Sequence, residues 1–99
     1  MAAQEFILSQ LNQNVPELKQ AFSVRKIGLF GSVVRGEANQ KSDIDILVDF
    51  AEPTFDHYMD LKFYLEKLFN SPIDLVMADT IKPRIKPFIE QETIYAEGL

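Results

Sequence analysis

Two spacings of apolar side chains alternate along this chain, and each spacing predicts an element. Phe6, Ile7 and Leu11 recur at helical intervals among polar neighbours, which predicts a first helix broken by Asn12-Gln13-Asn14. Pro16 opens a second, short helical piece in which Leu18 and Phe22 lie four apart. Val24 to Phe30 reads as a strand that stops at Gly31-Ser32. Residues 32 to 41, with Gly36, Asn39 and many polar side chains, read as a helical turn and a loop. From Ser42 to Phe50 the period is two: Ile44, Ile46, Val48 and Phe50 alternate with Asp43, Asp45, Leu47 and Asp49. Pro53-Thr54 then starts a helix running to about Phe69, with Tyr58, Leu61, Leu65 and Leu68 as its apolar stripe. Asn70-Ser71-Pro72 ends it, and Ile73 to Met77 is a third strand. Thr80 is placed to cap a last helix over residues 81 to 90, with Ile81, Ile85, Phe88 and Ile89 turned inward and Pro87 kinking or dividing it. Thr93 to Ala96 reads as a closing edge strand. The whole is an α/β (α+β) pattern of about four strands in a mixed sheet flanked by helices.

Length and composition narrow this picture. Ninety-nine residues, 46% of them hydrophobic, predict a single domain over 1–99 with a small core. The net charge of −5 disfavours a grip on a nucleic-acid backbone, so no direct nucleic-acid binding is expected. Acidity suits a site that collects divalent cations, and it suits a basic protein partner equally well. Cysteine is absent, which excludes disulfides and thiolate metal sites. No apolar run approaches the roughly 20 residues that span a bilayer. The expectation is a soluble, cytoplasmic protein with no membrane association.

The chemistry concentrates in Gly31-Ser32-Val33-Val34-Arg35-Gly36 and Ser42-Asp43-Ile44-Asp45. Gly31 stands where a strand turns into a helix, and glycine allows close backbone approach to a ligand there. The N–H groups that follow, with a helix start, form an anion site suited to phosphate, and the Ser32 hydroxyl adds a donor. Asp43 and Asp45, two apart on a strand, leave the same face with Cα atoms roughly 6.5–7 Å apart. Such carboxylates can converge on one or two Mg²⁺ ions, which favour a few carboxylates plus phosphate oxygens and water. Asp74, within the apolar run Ile73-Asp74-Leu75-Val76, needs a partner or a purpose. Beside Asp43 and Asp45 it completes a metal site and can take the proton of an attacking hydroxyl. For all three to meet Gly31-Ser32, strands one and two must run antiparallel. Strand three must then run parallel to strand two, with the 54–69 helix as crossover.

This combined motif resembles the signature of the DNA polymerase β-like nucleotidyltransferase superfamily. The chain's size and its third aspartate are similar to the minimal nucleotidyltransferase group, which includes MntA-type antitoxins paired with HEPN-domain toxins. The similarity covers roughly residues 24 to 96. The resemblance implies a nucleotidyltransferase fold in which Asp43 and Asp45 hold two Mg²⁺ ions, while Asp74 binds one of them and activates the acceptor. It further implies that Gly31 and Ser32 bind the β- and γ-phosphates of ATP and that Arg35 orients the nucleotide or the loop. Ser42, from the second half of the motif, joins the nucleotide-binding set. The reaction is then in-line attack on the α-phosphorus with loss of pyrophosphate. In this group the acceptor is a tyrosine of a HEPN ribonuclease toxin, which implies an antitoxin in a hetero-oligomer. Two alternatives stand beside it: neutralisation of the partner by binding alone, and transfer to an RNA end or a small molecule. Arg35 can also simply pair with Glu37 or a strand carboxylate, and Lys82, Arg84 and Lys86 read as a solvated helix face.

Overall fold

The computed structural model describes residues 3–36 and 43–98. Ser42 and residues 37–41 of the predicted loop therefore lie outside the described residues. The order is α1 (Ala3–Gln13), α2 (Val15–Phe22), β1 (Val24–Phe30), α3 (Ser32–Arg35), β2 (Ile44–Phe50), α4 (Phe55–Phe69), β3 (Ile73–Met77), a 3₁₀ turn over Ala78–Thr80, α5 (Lys86–Glu92) and β4 (Ile94–Tyr95). The strands form one mixed sheet in the order β3-β2-β1-β4. β1 runs antiparallel to β2 and to β4, and β2 runs parallel to β3 across the α4 crossover.

The period-two pattern of β2 decides which face is core. Ile44, Ile46, Val48 and Phe50 join Ile27 and Leu29 of β1 and Ile73 and Leu75 of β3 in one apolar cluster. Ile7 and Leu11 of α1, Val15 and Leu18 of α2, and Leu61 and Leu65 of α4 complete it from above. Three local devices hold α4 in place. The Thr54 hydroxyl accepts the His57 amide at 3.1 Å and caps α4. Asn70 closes the same helix in the left-handed conformation. The Tyr58 hydroxyl donates to the Leu75 carbonyl at 2.7 Å, tying α4 to β3. On the other edge Gly28 allows β4 to lie close, because a Cβ there would meet Thr93 Cγ2 at 2.6 Å.

Two expectations change at the C-terminal end. The last helix covers Lys86–Glu92 instead of 81–90, and Pro87 lies in its first turn, where a missing N–H costs nothing. Phe88 and Ile85, expected inward, are 71% and 49% exposed. Their helical spacing is real, but this face of α5 borders an open cleft and not the core. Phe6 of α1 is likewise exposed, while its neighbours Ile7 and Leu11 are buried. Among the described residues no helix is long and apolar enough to cross a membrane.

Candidate active site

The site grows from the end of β1. Gly31 takes φ +76 and ψ −145, a conformation that a side chain would strain, and starts α3. A Cβ at Gly31 would overlap the Asp45 carboxylate. The missing side chain thus leaves the space in which that carboxylate sits. The Ser32 amide donates to Asp45 Oδ2 at 3.3 Å, so the turn and strand β2 meet through this contact.

The strand register brings the acidic residues together. Asp45 pairs with Phe30 on one side and lies directly beside Asp74 on the other, across the parallel β2–β3 ladder. Asp43 precedes β2 and is exposed, as is Asp74, while Asp45 is half-buried. Burial raises the Asp45 carboxyl above the usual range of an aspartate, and the negative charges of Asp74 and Asp43 push it further. The Ser32 amide opposes them by stabilising the charged form. Asp49, farther along β2, is held by Arg25 Nη2 at 2.9 Å and stays apart from this group.

Three oxygen-bearing side chains that repel one another fit a hard divalent cation, whose charge would relieve the repulsion. Among the described residues no three His, Asp or Glu side chains are already gathered tightly enough to hold a metal alone.

Glu92 is the residue that the sequence reading did not single out. It ends α5, and its Oε2 accepts the Gly31 amide at 2.8 Å while its Oε1 accepts Arg35 Nη1 at 3.0 Å. The Gly31 amide, followed by the Arg35 guanidinium, holds the Glu92 carboxyl below the usual range, so it is charged at neutral pH. No local spacing signals this contact, because 61 and 57 residues separate Glu92 from its partners. Gly31, Arg35 and Asp45 also line a cavity of about 350 Å³ with Phe30, Ile85, Phe88, Ile89 and Glu92. Asp45, Glu92 and the Arg35 guanidinium therefore share one mouth with the apolar side chains of Phe30, Ile85, Phe88 and Ile89.

Known proteins share this sequence pattern and fold. Residues 9–96 match the nucleotidyltransferase domain family. The chain is 45% identical over 96 residues to the protein adenylyltransferase MntA of Thermococcus cleftensis, covering 96% of this chain and 97% of that one. A solved structure described as a minimal nucleotidyltransferase superposes with a TM-score of 0.75 at 34% identity, over 88% of this chain and 93% of that one. A complex of a tri-AMPylated Shewanella oneidensis HEPN toxin with an MNT antitoxin shares the fold, with a TM-score of 0.67 at 20% identity over 97% of this chain and 73% of that one.

Proposed function

The chain belongs to the nucleotidyltransferase domain family and is a nucleotidyltransferase enzyme, and from that premise we propose that it transfers AMP from ATP to a tyrosine hydroxyl of a HEPN-domain toxin, acting as the antitoxin. One observation carries the chemistry. Asp45 and Asp74 are register partners on β2 and β3, at the mouth of a turn whose Ser32 amide faces Asp45. The kinship to a protein adenylyltransferase supports a protein acceptor, and the fold shared with an antitoxin of a HEPN toxin supports the partner.

In this reading each residue has a defined task. Asp43 and Asp45 would hold two Mg²⁺ ions, with Asp74 binding one of them. Held there, Mg²⁺ would supply positive charge against the α-phosphate and the leaving pyrophosphate. Gly31 keeps the turn open to the β- and γ-phosphates, and Ser32 offers its amide and hydroxyl to them. Arg35 presents positive charge beside that turn, and Ser42 belongs to the same nucleotide-binding set. Asp74 accepts the proton of the tyrosine hydroxyl as its oxygen bonds to the α-phosphorus. The bond from that phosphorus to the bridging oxygen breaks, and pyrophosphate departs.

The test uses the full chain, ATP labelled at the α-phosphate, Mg²⁺ and a HEPN-domain toxin. We expect label on the toxin and rescue of growth. Removal of the metal by a chelator, or Asp43→Asn with Asp45→Asn, lowers transfer by on the order of 10³-fold, the several kcal/mol that metal-borne charge stabilisation supplies. Rescue that survives the double substitution without any label would mean neutralisation by binding alone and would overturn the catalytic reading.

A further inference from the structure

Glu92 sits where helix energetics alone would not put it. The last turn of α5 carries no basic residue, and a carboxylate at a helix C-terminus faces the negative end of the macrodipole. Its placement is offset by contacts outside the helix, where both carboxylate oxygens meet donors: the Gly31 amide at 2.8 Å and Arg35 Nη1 at 3.0 Å. Both oxygens of Glu92 thus meet donors of the turn, the Gly31 amide and the Arg35 guanidinium. α5 itself has no fully buried residue and no side-chain cap, so this contact ties it to the turn.

The two partners are the ends of one short device. Gly31 and Arg35 bracket α3, and the Arg35 amide bonds the Gly31 carbonyl at 3.1 Å. The Gly31 amide belongs to the Phe30–Gly31 peptide, which Glu92 holds, and the Gly31 carbonyl, held by the Arg35 amide, belongs to the peptide from which the Ser32 amide projects, so the two contacts together fix both peptides around Gly31. Holding Arg35 keeps its positive charge against the same turn. A strained glycine peptide is otherwise free to rotate, because no Cβ restricts it.

We propose that Glu92 is a positioning residue for the nucleotide: it locks the Gly31 peptide and the Arg35 guanidinium so that the Gly31–Arg35 turn meets the triphosphate already in its binding geometry. This rests on the nucleotidyltransferase reading above. Glu92 acts through Gly31 and Arg35 and touches no reacting atom. Its loss therefore raises the apparent KM for ATP more than it lowers kcat.

Calorimetric titration of the full chain with Mg²⁺ and α,β-methylene-ATP tests this. Glu92→Ala weakens binding by roughly tenfold or more, as expected for a lost charge-assisted hydrogen-bond pair. Glu92→Gln, which keeps an oxygen for the Gly31 amide, falls between it and wild type. Adding Arg35→Ala to Glu92→Ala costs less than Arg35→Ala alone, because the pair acts as a unit. Thr54→Ala, a cap far from the turn, controls for general loss of stability and leaves affinity unchanged. Glu92→Ala that binds as tightly as wild type, or more tightly, overturns the proposal, the latter meaning that the carboxylate competes with phosphate for the same donors. A wild-type chain that binds no nucleotide sinks the parent reading and this one together.

Discussion

At the scale of single residues, the candidate site trades stability for chemistry. Asp45 is half-buried beside two other aspartates, and burial first, then their charges, raises its pKa. A raised folded-state pKa means that the protonated carboxyl favours folding. That contribution is complete below the unfolded value of about 4 and is lost as pH rises through the raised value. At pH 7 without divalent ions Asp45 is thus a charge the fold would be steadier without. Asp45→Asn keeps an oxygen for the Ser32 amide and removes the charge. With a chelator present it should gain about 0.5 kcal/mol, a figure discounted for solvent screening, or roughly 2–4 °C in melting midpoint. The gap should close as pH falls below about 4. A variant that melts below wild type at pH 7 under those conditions would disprove the repulsion. The aspartates were legible in the sequence because a period-two strand carries its own statement of which side chains share a face. Glu92 was not legible, because its partners are distant in sequence and its own surroundings are ordinary helix.

At the scale of elements, boundaries were readable wherever capping or proline chemistry marks them. Val24–Phe30 and Ile73–Met77 match the expected strands, and α4 begins after Thr54 and ends at Asn70 as its turn residues require. The cap is testable. Thr54→Ala leaves the His57 amide without its partner, at a cost of about 1 kcal/mol. For a chain of this size that lowers the melting midpoint by on the order of 4–8 °C. A shift below one degree would show that solvent replaces the hydroxyl at no cost. The C-terminal helix was misread for a physical reason. Ile81, Ile85, Phe88 and Ile89 have helical spacing, but periodicity reports only that one face is apolar, not what covers it. Here Pro87 belongs to the first turn of α5, and Phe88 faces the cleft beside Gly31.

At the scale of the whole molecule, stability rests on one face of one sheet. Leu65 and Leu61 of α4 are fully buried against that face. Leu65→Ala removes buried methyl groups and leaves a cavity, costing about 2–5 kcal/mol. Small domains hold roughly 5–10 kcal/mol in total, so urea denaturation should show a midpoint lowered by about a fifth or more. A loss under about 1 kcal/mol would mean that the core collapses around the gap. The opposite face of the sheet carries the aspartates, and large apolar side chains stay exposed at Phe55, Phe63 and Phe88. A chain this small cannot bury all of its aromatic surface, which leaves apolar area available to a partner.

Local chemistry determined much of this protein on its own: the strand of alternating aspartates, the Gly-Ser turn, the helix ends, and the antiparallel and parallel pairings that any shared site requires. These follow from short-range rules, a period of two, a missing Cβ and a hydroxyl at a helix start, and short-range rules are written in neighbouring residues. Only the tertiary structure decided that Asp74 stands directly beside Asp45, that α5 exposes its aromatic face, and that Glu92 reaches back to Gly31 and Arg35. Each of these depends on how separately formed elements settle against one another, and that packing is set by the sum of many weak contacts across the whole chain.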